Sequence, residues 1–195
     1  MKHLKLILSV TVVASLIYGC DKNNDTDKLK VGQITMVIDG KNYKSASIDN
    51  FESLSDTNDW NIYPGGELSI DTVNKLNGKS SIKLISSDQC FHVEKIEGIP
   101  VELNRNYVIH FHYKLPVTTL EELNNGLSWT CMGPFRLELK QGNEVILSEW
   151  LDEIDNWTEK YFYFQPINNV PVKLDLLIGT RKGVSLDDLI TLEEY

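Results

Sequence analysis

The chain has 195 residues, with 28 acidic against 19 basic side chains and a formal net charge of −9. That balance argues against nucleic acid and other polyanions as partners, because counterion release needs clustered Lys and Arg. Hydrophobic residues make up 42% of the chain, enough for one ordinary domain whose core needs no dense disulfide net.

Met1-Lys2-His3-Leu4-Lys5 is a short basic start, and residues 6–17 follow with nine apolar positions in twelve. As a helix this run spans about 18 Å, against roughly 30 Å for a bilayer's hydrocarbon core. It therefore reads as a secretory signal rather than a membrane span. The segment closes as Leu16-Ile17-Tyr18-Gly19-Cys20. A small residue before a cysteine at the end of an apolar stretch resembles the lipobox of bacterial lipoproteins; the plainer alternative is a secretory signal that contains a Cys. The resemblance implies removal of residues 1–19 and lipidation of Cys20. Losing Lys2 and Lys5 leaves 17 basic against 28 acidic side chains, a net of −11. Residues 21–30 hold three Asp, three Lys and one apolar residue, too little to order themselves. Residues 20–30 are thus expected to be a lipidated cysteine and flexible tether reaching at most about 35 Å, and 31–195 a single domain. The expected address is the bacterial cell envelope, as an outer-membrane lipoprotein on the periplasmic or outer surface, touching the membrane through lipid only.

From residue 33 the chain reads as short strands. Gln33–Ile38 alternates, and Asp39-Gly40 separates it from Lys41-Asn42-Tyr43; an Asp-Gly pair between strand-like runs predicts a hairpin with a type I′ turn. Further runs are 68–73, 80–86, 90–96, 107–115, 135–140, 144–148, 158–164, 172–178 and 185–192, divided by Gly, Asn and Asp turn signals. Ten or eleven such runs predict an all-β fold, an antiparallel β-sandwich. One connection departs from the pattern: Thr118-Thr119-Leu120-Glu121-Glu122 carries a Thr-x-x-Glu cap and Gly126 a stop, so at most one short helix is expected there. Cys90 and Cys131 both lie in strand-like text. In an oxidising compartment they would pair, closing a loop of about forty residues for roughly 4 kcal/mol. As free thiols they would serve as small buried hydrophobes. Sequence leaves both readings open.

Three pieces of text occur in a telling order: Asp49-Asn50-Phe51-Glu52 before Trp60, Asn77-Gly78-Lys79-Ser80-Ser81-Ile82-Lys83-Leu84, and Ser185-Leu186-Asp187-Asp188-Leu189. With residues 107–114 and 156–162 between them, they resemble carbohydrate-binding modules of the cellulose- and xylan-binding type, with a galactose-binding-domain-like jelly roll. The resemblance covers about residues 48–193 and implies a domain that binds glycans and does no chemistry. It also implies a structural calcium ion held by the carboxylates of Glu52 and Asp187 and by backbone carbonyls around Gly78 and Lys79, an oxygen-only set that suits a hard cation. The alternative is that both carboxylates are solvated strand ends.

Sugar sites need exposed aromatics beside polar groups. Trp129 and Trp150 are the candidates, against the ordinary fate of a Trp in the core; Trp60 and Trp157 match family positions that pack inside. His110 and His112 share one face of a strand with Val108 and Lys114, while Ile109, Phe111 and Tyr113 take the other. Two such histidines suit a metal, with His92 as a third ligand, but no cysteine or carboxylate motif nearby completes the set. The expectation is instead a solvent-facing polar surface in which His110, His112 and Lys114 contact glycan, joined by Arg136 and Glu138. The chain has no nucleophile elbow, zinc-protease helix or phosphate loop. The reading is a non-catalytic protein binding a neutral polysaccharide or oligosaccharide. The alternative is a protein-interaction or adhesin-type accessory lipoprotein working with envelope partners.

Overall fold

In the computed structural model the described residues are 31–195 without Ser53, Asp88 and Ser128. The signal, Cys20 and the tether lie outside them. Strands β1 (Thr35–Ile38) and β2 (Lys41–Asp49) form the expected hairpin. Asp39 and Gly40 turn it with φ of 50° and 77°, the positive values that a two-residue I′ turn requires. A 3-10 turn (Leu54–Asp59) leads to β3 (Trp60–Ile62), β4 (Gly66–Asp71), β5 (Ser81–Ser86), β6 (Phe91–Lys95) and β7 (Tyr107–Leu115). Helix α1 (Leu120–Asn124) precedes β8 (Phe135–Gln141), β9 (Glu144–Leu151), β10 (Ile154–Phe164), β11 (Lys173–Ile178) and β12 (Val184–Glu194). The expected cap is present on Thr119: its hydroxyl accepts from Glu122 N–H, and the Glu122 carboxylate accepts from Thr119 N–H. Among the described residues no helix is long and apolar enough to cross a membrane.

The strands make two antiparallel sheets. In the seven-stranded sheet, β12 pairs with β7 along one side and with β5 and then β2 along the other; β4, β1 and β10 are its edges. The five-stranded sheet runs β3-β6-β11-β8-β9. Period-2 alternation fills the space between the sheets. On β7, Tyr107, Ile109, Phe111, Tyr113 and Leu115 are all buried, and they meet Val93, Leu137, Leu139, Leu174 and Leu176 from the other sheet. A buried ion pair also ties the sheets, with Lys95 Nζ 2.5 and 2.7 Å from the Asp49 carboxylate oxygens.

The seven-stranded sheet curls. Tyr163 on β10 donates its hydroxyl to Asp39 at 2.7 Å, bringing the β1–β2 turn to the opposite edge. A second, small core of Ile38, Tyr43, Val108, Ile190 and Leu192 forms on its outer side. Twelve strands appear among the described residues, the addition being β3, whose three residues are too few to show alternation. Residues 129–132, which read as strand-like, instead form an irregular connection. Cys131 lies in it and is joined to Cys90 by a disulfide, with Cα atoms 5.0 Å apart.

Candidate functional site

The outer face of the five-stranded sheet is built by cross-strand register. One row runs His92, Leu177, Arg136, Trp150; the next runs Asn61, Glu94, Asp175, Glu138, Ser148. Aromatic rings flank both ends of the first row. Tyr63, just past β3, stacks on His92 at 4.5 Å and 9° and donates its hydroxyl to Glu94 at 2.8 Å. Trp150 carries the Arg136 guanidinium 5.1 Å from its ring centre, within the range of a cation–π contact. Gly133 is required beneath that indole, since a Cβ there would lie 2.5 Å from a ring carbon. Tyr63 is 41% exposed and Trp150 39%.

Charge on this face is balanced. Lys140 Nζ sits 2.7 Å from Glu138 and 2.6 Å from Asp175, Arg136 lies 3.1 Å from Glu138, and Lys173 lies 2.6 Å from Glu94. Burial pushes the Asp175 carboxyl up, but His92 and Lys140 outweigh it and hold the group below its ordinary range. The hydrogen bond from Lys173 is the main cause that lowers Glu94. Even so, His92 Nε2, Asp175 Oδ1 and Arg136 Nε are buried without hydrogen-bond partners. The first two lie 3.5 Å apart, longer than a normal hydrogen bond. Buried polar atoms are usually satisfied, so these two rows have capacity left for hydrogen bonds to a ligand.

The structure brings Arg136, Glu138 and Trp150 together with His92 and separates them from His110 and His112. His110 and His112 lie on the other sheet, far from His92 in the fold. The expectation of a solvent-facing histidine surface needs correction for His110, which is 5% exposed, stacked on Tyr161 and bonded to Glu159 at 2.7 Å. Curling of the sheet and the small outer core cover it. Trp129 is 42% exposed, but it stands in the β7–β8 connection with Nε1 donating to Glu153 at 3.1 Å, off the sheet face. Trp60 is buried as expected. Sequence reasoning missed Tyr63, Glu94 and Asp175. Alternation on β6 and β11 marks Glu94 and Asp175 as outward, but nothing in the text aligns the two strands. A separate open depression of about 680 Å³ lies at the end of the sandwich near Asp39, Lys41, Asn106, Tyr163 and Gln165.

The residues expected around calcium also converge. Glu52 accepts from Lys79 N–H at 2.6 Å, and its carboxylate fills the space of a missing side chain, since a Cβ on Gly78 would lie 1.6 Å from Glu52 Oε1. Asp187 Oδ2 accepts from Leu76 and Asn77 N–H, while its Oδ1 is buried with no partner. Asp188 adds a third carboxyl, pushed up to about 6 by burial and then by the charges of Asp187 and Glu52. An orphaned carboxylate oxygen among like charges fits a hard cation. The Lys79 carbonyl is already engaged by Lys75 Nζ at 3.0 Å.

No protein-family profile and no curated protein matches the chain. Solved structures do. The chain is similar to the CBM22-1–GH10 modules of a Clostridium thermocellum endo-1,4-beta-D-xylanase complexed with xylohexaose, at TM-score 0.54 and 17% identity, covering 75% of this chain and 28% of that one. It is also similar to the CBM22-1 xylan-binding domain of Paenibacillus barcinonensis, at TM-score 0.52 and 12% identity over 75% of this chain and 92% of that one. A third is the enzymatically active domain of a bacteriophage CBA120 tailspike, at TM-score 0.53 and 11% identity over 73% and 20%. The chain spans little more than a quarter of the first of these. What is shared is the fold: this chain has the jelly roll of carbohydrate-binding modules.

Proposed function

We propose that the chain is a non-catalytic, lipid-anchored protein of the bacterial envelope that takes a neutral polysaccharide or oligosaccharide across the outer face of its five-stranded sheet. One observation carries the reading: two exposed rings, Tyr63 and Trp150, flank two adjacent rows in which His92 Nε2, Asp175 Oδ1 and Arg136 Nε are buried and make no hydrogen bond. Rings stack on the apolar faces of pyranoses, while His92, Asp175 and Arg136 answer hydroxyl groups. The balanced charge of the face favours a neutral ligand, and one structural neighbour is complexed with xylohexaose. Anchoring rests on Cys20 and the tether, which would hold the module near partner enzymes or transporters of the envelope. A calcium ion held by Glu52 and Asp187 would fasten the segment at residues 76–79 to β12.

Affinity electrophoresis of the Cys20→Ser chain in gels containing neutral polysaccharides such as xylan or cellulose derivatives tests the reading. We expect retardation that Tyr63→Ala and Trp150→Ala abolish, with no release of reducing ends. Migration unchanged by every neutral polysaccharide, or retardation indifferent to both substitutions, would overturn it. For calcium, chelation is expected to lower the unfolding midpoint.

A further inference from the structure

Strand β7 presents two imidazoles, two residues apart, on the outer side of the seven-stranded sheet. The carboxylate that the surrounding text lacks arrives by register: Glu159 on β10 is the cross-strand partner of His112, and Tyr161 of His110. His110 Nε2 lies 2.7 Å and His112 Nε2 3.8 Å from the same oxygen, Glu159 Oε1. One ligand atom of each residue lies within 4.8 Å of the others. Ligands about 2.0–2.1 Å from a tetrahedral zinc stand roughly 3.3 Å apart, and the two observed separations bracket that spacing.

Packing holds the three groups in place. The His110 ring stacks on Tyr161 at 4.8 Å and meets His112 edge-on at 5.2 Å, while the Tyr161 hydroxyl donates to Glu159 Oε1 at 2.6 Å. Both Nε2 atoms face Glu159, while both Nδ1 atoms are buried without partners. Asp187 faces His112 from β12 and adds negative charge. The Glu159 side chain is 42% exposed and that of His112 20%, which gives an ion a path in and leaves one coordination position toward water.

We propose that His110, His112 and Glu159 bind a divalent transition metal ion of the zinc type, joining edge strand β10 to β7. Two nitrogens and one carboxylate suit zinc rather than calcium, which sets this site apart from the all-oxygen set at Glu52 and Asp187. It is also independent of the glycan face.

The test is thermal unfolding of the chain in calcium-containing buffer with and without zinc chloride, together with the visible absorption of added Co2+. With zinc 100-fold above its Kd we expect the midpoint to rise by roughly 5–10 °C, and Co2+ to give a tetrahedral spectrum that zinc displaces. His112→Ala and Glu159→Gln should lose both signals, and His92→Ala on the other sheet should keep them. Glu159→Gln guards the test, because that side chain is exposed enough for the fold to accept an amide. Absence of any response in the unsubstituted chain, its survival in His112→Ala and Glu159→Gln, or its loss in His92→Ala alone would overturn the proposal.

Discussion

On the five-stranded sheet the outward residues end in exposed rings, Tyr63 and Trp150, over a row of charged groups. On the seven-stranded sheet the outward residues of β7 obey the same alternation, yet Val108 and His110 are buried. The difference lies in curvature. One sheet leaves its outer side open, whereas the other bends until the β1–β2 turn reaches Tyr163, and a small cluster of apolar residues fills the hollow. Alternation thus assigns a side chain to a face; the bend of the sheet decides whether that face is wet.

The largest expected effect falls on the framework of the open face. The disulfide fastens Cys131, which lies two residues before the Gly133 that backs Trp150. Replacing Cys90 and Cys131 by Ala should cost about 4 kcal/mol by the loop-closure argument, a fall of roughly 8–16 °C in Tm, read by thermal unfolding. Next is the contrast between faces. Trp150→Ala should weaken glycan binding about 30-fold, equivalent to about 2 kcal/mol, while His112→Ala leaves it within about twofold of the unsubstituted chain. Equal losses from the two variants in affinity electrophoresis would erase the distinction between the faces.

How far this contrast could be read beforehand depends on which physical signal each part uses. The Asp39-Gly40 hairpin and the Thr119–Glu122 cap are local, set by residues within a few positions, and both are legible. So is the split of β7 into Ile109, Phe111 and Tyr113 against His110 and His112. Register between strands distant in sequence is not legible, because many pairings satisfy the same alternation. Hence Glu159 could not be placed beside His112, nor Asp175 beside Glu138. Trp150 and Arg136 were identifiable singly by residue type, but their stacking depends on the β8–β9 register and on Gly133.

A smaller effect is expected where the curled sheet closes. Burial and then hydrogen bonding to Asp39 raise the Tyr163 hydroxyl to about 12. Tyr163→Phe removes the bond from edge to turn at a cost of about 0.5 kcal/mol, the low end for a hydrogen bond, since the ring is half exposed. Urea unfolding measures it. A cost of several kcal/mol would mean that this bond, rather than the small outer core, sustains the curl.

The smallest effect concerns the connection that passes from β7 on one sheet to β8 on the other. The Glu122 carboxylate accepts from Thr119 N–H and hydroxyl and pairs with Lys182 at 3.0 Å. The backbone N–H first, then Lys182, hold it at about 2 against an ordinary 4.5. A carboxyl lowered in the folded state binds its proton more weakly there than in the unfolded chain. Its contribution is therefore complete above about pH 4.5 and lost as pH falls toward about 2. Glu122→Gln should lower stability slightly above about pH 4.5 and flatten the acid limb in that window, so that the two proteins converge as pH falls toward about 2. Because the group touches neither outer face, the substitution should also leave glycan retardation and the zinc response as they are. An acid limb identical in the two proteins would show that Glu122 titrates alike folded and unfolded, and that the crossing is held by its backbone hydrogen bonds alone.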